Sequence, residues 1–184
     1  MSMTSTETQY LLDMCIKNDR KAQSMLYKKY AGRLFGTCLR YTTGREEAQD
    51  ILQESFIKIF KHLDQYSGLG SLEGWMKRIV IRTAIQNYRK KNRNLKFEPL
   101  PEVENDDWVF SDILERISAD EIIRYMQDLP DGYRIVMNLY AIEGYSHKEI
   151  AEMLNISEGT SRSQLTRARK YLSDYLETKN YEHG

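Results

Sequence analysis

Cysteine is nearly absent from this sequence, and the two that occur, Cys15 and Cys38, fall in separate helix-like segments. Neither a metal knuckle nor a redox pair has that spacing, so both are read as buried thiols. Histidine is almost as scarce. His62, His147 and His183 are scattered and no glycine-rich phosphate loop accompanies them, which leaves nothing to complete an enzyme site, and no metal or cofactor is expected. No apolar run reaches the roughly 18 residues of a membrane span. The opening MSMTSTETQY lacks the basic flank and apolar core of a signal peptide, so the chain is expected in the cytoplasm without membrane insertion. Net charge is absent too, with 27 basic residues against 27 acidic ones, which taken alone argues against a nucleic-acid partner.

The zero hides a segregation. Residues 1–94 carry 17 basic and 9 acidic side chains, residues 95–118 carry 2 and 7, and residues 119–184 carry 8 and 11. Helical periodicity is nearly continuous and no alternating strand pattern emerges, so the fold is expected to be all-α: two small helical domains, 1–94 and 119–184, joined by an acidic linker, 95–118. That linker holds two of the three prolines. In the first domain, helices are expected around Leu11–Ile16 and from about Arg20 to Tyr41. Ile51, Leu52, Ser55, Phe56, Ile59, Phe60 and Leu63 then draw one buried stripe along a third helix, with TTG before it and QYSGLG after it as stops. A fourth is expected from an N-cap at Ser71 to about Asn92, with Leu72, Trp75, Met76, Ile79 and Val80 inward. Ser118 with Glu121 has the spacing of a capping box that restarts helix, Pro130 breaks it, and Gly144 is placed to end the next.

Two segments carry chemistry. In YSHKEIAEMLNISEGTSRSQLTRARKYL, Ser146 and Glu149 form a second capping box, Asn155 and Ser157 bracket a tight turn, and Ser157 is placed to cap a further helix. Ile150, Ala151 and Leu154 face inward on the first of these helices. On the second, Ser161, Leu165, Ala168, Leu172 and Leu176 share one sector; Thr160, Ser163, Arg167 and Lys170 are expected opposite, with Arg162 and Gln164 on the flanks. No carboxylate interrupts Thr160 to Lys170, whereas a solvated helix normally mixes its signs. That face suits phosphates and guanine edges, in a helix-turn-helix. The fourth helix of the first domain is equally one-signed: Lys77, Arg78, Arg82, Arg89, Lys90, Lys91 and Arg93, interleaved with Trp75, Tyr88, Gln86 and Asn87. Cations for phosphates and rings for unpaired bases make a single-strand surface, although Trp75 also fits a plain core position.

These elements, in this order and together with DILQESFIKIF, resemble the extracytoplasmic-function (ECF) class of bacterial RNA polymerase sigma factors from about Leu11 to Leu176. The resemblance implies a transcription initiation factor that binds polymerase core, recognises promoter DNA and helps melt it. It implies no catalytic residues. Asp50, Gln53, Glu54 and Phe56 match the family's core-polymerase-binding helix, and Trp75, Arg78, Ile79 and Ala84 occupy familiar places in its promoter-opening helix. By that likeness the first domain holds the minus-ten element with Tyr66, Trp75, Lys77, Arg78, Arg82, Gln86, Arg89 and Lys90, a flipped base lying near the Tyr66–Gly70 loop. The C-terminal domain reads the minus-thirty-five element with Thr160, Arg162, Ser163, Gln164, Thr166, Arg167 and Lys170. An anti-sigma protein is a further partner by the family's habit.

Four positions depart from the pattern. Members usually have asparagine at Arg82 and often aspartate at Gln86, so the bases captured there are expected to differ. They usually have valine at Ser161, so looser helix packing is expected, and arginine at Gln164, whose amide is suited to adenine instead. A C-terminal domain of negative net charge is expected to bind DNA weakly when isolated and to depend on tethering through polymerase. The competing reading is an autonomous helix-turn-helix regulator. It explains the C-terminal element but not the seven cations of the fourth helix, nor Asp50 and Glu54 on a partly apolar one.

Overall fold

The computed structural model describes residues 5–92 and 118–182, and every regular element among them is helical. The expected acidic linker lies outside the described residues, apart from Ser118. The described residues fall into two compact units, 5–38 with 45–84 and 39–44 with 85–92 and 118–182.

Helices α1 (Ser5–Ile16) and α3 (Arg45–Lys61), with α2 (Arg20–Tyr41) up to Cys38, α4 (Leu72–Lys91) up to Ala84 and a 3-10 turn at Leu63–Gln65, supply the first unit; the last residues of α2 and α4 belong to the second. The stripe read along α3 is the core: Ile51, Leu52, Ser55, Phe56, Ile59 and Leu63 are buried, and Phe60 is half-buried. Leu26 and Leu34 of α2 and Met76, Val80 and Ile81 of α4 are buried as well, all essentially without exposure. Burying such side chains gives about 1.5–3 kcal/mol each before the entropy of ordering is subtracted. Polar ties join the helices at their edges: Lys58 Nζ donates to Thr83 Oγ1 at 3.2 Å, and Arg33 meets Glu73 at 2.6 Å. The Ser71 hydroxyl accepts from the Gly74 amide at 3.0 Å, which is the N-cap expected for α4. Cys15 and Cys38 are buried and unbonded to each other, and burial next to Asp19 pushes the Cys15 thiol up to about 11.

In the second unit, α5 (Ala119–Asp128), α6 (Asp131–Met137), α7 (His147–Leu154) and α8 (Glu158–Glu182) form the core. Both capping boxes are present, Ser118 with Glu121 and Ser146 with Glu149. The Ser146 hydroxyl and amide bond to the Glu149 carboxylate and hold its pKa below the usual range. Asn155 turns left-handed at φ 57°, ending α7, and Ser157 Oγ accepts from the Thr160 amide at 3.0 Å to open α8. Gly144, at φ 78°, supplies the expected stop.

One guanidinium locks the α5–α6 corner. Arg134 is 2% exposed; its Nε donates to the Met126 carbonyl at 2.6 Å, Nη1 meets Asp131 at 2.8 Å, and Nη2 reaches the Gln127 and Leu129 carbonyls. Three carbonyls at the end of α5 and its cap, those of Met126, Gln127 and Leu129, accept from one side chain. After α6 the backbone widens into a π-turn at Asn138–Ile142, a feature that periodicity did not reveal. Asn138, itself fully buried, donates from Nδ2 to the Arg134 carbonyl at 3.0 Å.

Candidate nucleic-acid interface and docking face

On α3, Asp50 and Gln53 are exposed and Glu54 is half-buried, its carboxylate 2.7 Å from Lys58 Nζ. Phe56 does not join them. It is 3% exposed, its ring 4.6 Å from that of Tyr27 and 5.8 Å from that of Phe60, because the stripe that builds the core includes it. The expectation that Phe56 is offered to a partner is therefore corrected: it braces α3 from beneath. Ile57 stands on the surface instead, 69% exposed. Positions 50, 53, 54 and 57 follow i, i+3, i+4, i+7 and share one face. The same spacing is present in the sequence, where the family likeness points to Phe56 and not to Ile57.

On α4, Arg78, Arg82, Gln86, Arg89 and Lys90 are exposed, and Lys77 is half-buried. Trp75 is half-buried against Tyr66, ring centroids 5.7 Å apart, and the Tyr66 hydroxyl donates to the Gly70 carbonyl at 2.9 Å. That bond closes the loop over Gly68 and Gly70, both in left-handed conformation at φ 76° and 79°, where a side chain would be strained. Tyr88, expected among the cations as a stacking ring, is buried; burial and then the Asp131 charge raise its pKa well above the ordinary tyrosine value. Ile79, expected inward, is half-buried.

The orientation of α8 differs from the expectation. Ser161, Leu165, Ala168 and Leu172 are inward as read, but Thr160, Ser163 and Gln164 are buried as well, at 6%, 5% and 3% exposure. The helix wheel gave α8 one buried stripe, whereas α8 lies against both α6 and α7. On the α6 side, Gly132 lies against the Gln164 amide, whose Oε1 would stand 2.6 Å from a Cβ there and would have to shift; Tyr133 takes a hydrogen bond from Arg167 at 3.4 Å. Thr160 Oγ1 is 2.8 Å from Ser157 Oγ, and Ser163 donates to the Thr160 carbonyl at 3.0 Å, so both hydroxyls serve the helix itself. Gln164, expected to read adenine, points its amide into α6 with Oε1 unpartnered among the described residues.

Arg162 and Lys170 remain exposed, with Thr166, Arg167 and Arg169 half-buried. Arg162, Thr166, Arg169 and Lys170 follow i, i+4, i+7, i+8, a face turned about 90° from the expected one. Arg169, which the single-stripe wheel does not place on that face, thus lies at the edge of the basic surface. Arg162 is paired with Glu158 at 3.3 Å in an exposed contact, a weak pair readily exchanged for a phosphate. Ser161, expected to loosen the helix, is fully buried with its hydroxyl 2.9 Å from His147 Nδ1.

Residues 26–94 match the family described as Sigma-70 region 2, and residues 119–172 match Sigma-70 region 4. The chain is similar to the ECF RNA polymerase sigma factor SigE of Mycolicibacterium smegmatis, 31% identical over 82% of this chain and 60% of that one. It is similar to the RNA polymerase sigma-H factor of Pseudomonas aeruginosa, 28% identical over 95% of this chain and 96% of that one. The chain belongs to the ECF class of RNA polymerase sigma factors. Among solved structures, CnrH in complex with the cytosolic domain of CnrY is similar over 92% of this sigma factor and 96% of CnrH, at 21% identity and a TM-score of 0.46. An RNA polymerase sigma factor works on promoter DNA with polymerase core, so the one-signed surfaces of α4 and α8 belong to a DNA-binding transcription initiation factor. No helix among the described residues is long and apolar enough to cross a membrane, and no group of three or more His, Cys, Asp or Glu among them is placed to hold a metal ion.

Proposed function

We propose that the two halves of this sigma factor divide the work: residues 1–94 dock on polymerase core and hold the melted minus-ten element, and residues 119–184 read the minus-thirty-five element. Asp50, Gln53 and Glu54 meet the core. Arg78, Arg82, Gln86, Arg89 and Lys90 line the DNA strand from α4, with Lys77 at their edge. Tyr66 and Trp75 flank the flipped base, whose extraction costs a few kcal/mol that stacking and phosphate contacts must offset. From α8, Arg162, Thr166, Arg167, Arg169 and Lys170 face the upstream duplex. The factor acts in the cytoplasm, contributes no catalytic residue, and leaves the chemistry to polymerase. Residues 95–118, an acidic stretch of the sequence, join the halves. An anti-sigma protein restrains the factor until it is needed.

The observation that carries this reading is the run of exposed cations along α4 beside the Tyr66–Trp75 ring pair, a surface for single strands that a duplex reader does not need. Transcription in vitro from a randomised promoter library, with core polymerase and this chain, tests it. Transcripts that depend on the chain and start downstream of two recurring elements are expected, while the free chain shifts the same duplexes only weakly. Tight specific binding by the free chain, or no start site at any sequence, would overturn the reading.

A further inference from the structure

Three elements meet at His147, the first residue of α7. From α8, Ser161 places its hydroxyl 2.9 Å from Nδ1. From the π-turn, Tyr140 lies flat against the imidazole, the ring centroids 4.5 Å and the planes 20° apart, and the Arg169 guanidinium stands 6.0 Å over that same tyrosine ring. The charged groups around the imidazole are Arg162, Arg169 and Glu158 of α8, with the Tyr140 phenol on the π-turn. On its own helix, Lys148 is exposed and Glu149 is engaged by Ser146. The half-buried imidazole therefore lies between the buried seat of α8 and two of its arginines, Arg162 exposed and Arg169 half-buried.

We propose that His147 is a positioning residue for α8, holding the helix through Ser161, and that it couples the grip of Arg162 and Arg169 on DNA to the uptake of a proton. The proposal rests on the reading that α8 meets promoter DNA through the Arg162–Lys170 face. A neutral imidazole bonds to the Ser161 hydroxyl in either tautomer, and the imidazolium still bonds to it by donating. Protonation therefore keeps the seat and adds a charge beside two guanidinium groups. In the free chain, desolvation first, and Arg162 and Arg169 next, hold the His147 pKa below its ordinary value of 6.5, with Glu158 opposing them. Phosphates arriving at Arg162 and Arg169 offset that positive field, and an imidazolium then strengthens the binding surface. Reciprocity fixes the sign: if DNA raises the proton affinity of His147, protonation raises the affinity for DNA by the same factor. Affinity should thus increase as pH falls through the interval between the free and DNA-bound pKa values, by at most one proton's worth.

The test uses holoenzyme assembled from the full chain and core polymerase, and a duplex recovered from the promoter library. Binding is measured between about pH 7.5 and about pH 5.5 for wild type, His147→Phe and His147→Gln. Phenylalanine keeps the stack on Tyr140 without a titrating group. Wild type should gain at least about threefold in affinity over that range relative to either variant, since one linked proton can change binding by up to about tenfold per pH unit. A second readout needs no variant to fold: the His147 ring resonance of the wild-type chain, followed by NMR, should titrate at higher pH when the duplex is present in excess. Equal pH slopes in wild type and both variants, or a His147 titration unmoved by DNA, would overturn the inference while leaving the sigma-factor reading intact. A holoenzyme that recovers no duplex would remove that reading and the inference with it.

Discussion

Replacing Arg134 by alanine should cost the second unit about 3 kcal/mol, and the figure follows from what the guanidinium touches. It makes hydrogen bonds to the Met126, Gln127 and Leu129 carbonyls and to Asp131, from a site 2% exposed. Breaking a buried ionic contact by removing one partner costs roughly 3–5 kcal/mol. Asp131 is 31% exposed and can rehydrate, which puts the loss at the lower end of that range. The Gln127 and Leu129 carbonyls would need water that a buried corner admits poorly, while Met126 keeps the Leu129 amide. A 3 kcal/mol change multiplies the unfolding constant by about 150 and lowers the midpoint of a domain this small by upwards of about 10 °C. Urea unfolding of the full chain, with hydrogen exchange resolving amides 119–172, provides the assay. Arg134→Lys should recover little, since one ammonium lacks the planar fork that reaches four acceptors. Function should follow: α6 supplies Gly132 and Tyr133 to α8, so the variant should lose upstream-element recognition while core binding persists. A stability change below about 1 kcal/mol, or full rescue by lysine, would refute the reasoning.

Two neighbours on α3 should part company: Ile57→Glu should weaken association with polymerase core by tenfold or more at unchanged thermal stability, whereas Phe56→Ala should cost about 3 kcal/mol or more of stability. Titration of labelled core and circular dichroism melts separate them. Gln164→Leu should leave the base preference selected from the promoter library unchanged and should stabilise the fold slightly or not at all, because it removes a buried oxygen without a partner; a shifted preference would show that this side chain does reach DNA. His147 has a folded pKa below its unfolded value, so the unfolded chain binds the extra proton first. Its contribution is fully present above about pH 6.5 and is lost as pH falls through the lower folded pKa. The stability gap between wild type and His147→Phe, from urea midpoints, should narrow on acidification.

What could be read from the residues was what local geometry decides. Two capping boxes, the N-caps at Ser71 and Ser157, the α3 stripe and the Gly144 stop each depend on neighbours within a turn or two, and each was legible. The sites were less so. A wheel drawn for α8 alone cannot know that α6 and α7 both lean on it, so the buried sector was drawn too narrow and the cationic face was set about a quarter turn away. The π-turn has the same cause, since the widening at Asn138–Ile142 keeps the residue types of an ordinary helix. Phe56 was misjudged differently: the stripe placed it inward, the family likeness outward, and burial follows the stripe.

Ser161 shows why a departure from a family pattern is better treated as one half of a pair. A hydroxyl substituted alone into a buried valine position would cost about 1–3 kcal/mol for want of a partner. Here the partner exists, 14 residues earlier in the chain, and it lies there because the π-turn brings Tyr140 under the His147 ring. Serine, histidine and the widened turn therefore depend on one another: valine at 161 leaves the imidazole without its bond, and a regular helix at 138–142 would shift Tyr140 along the chain and remove its stack. A polar pair also does what valine cannot, because it carries a titratable ring to the edge of the face that Arg162 and Arg169 present. The cost of keeping such a ring half-buried between arginines is small while it is neutral and grows when it is charged. The free chain therefore favours the neutral pair down to its lowered folded pKa, and on the inference above an anion at the same face moves its charging to higher pH.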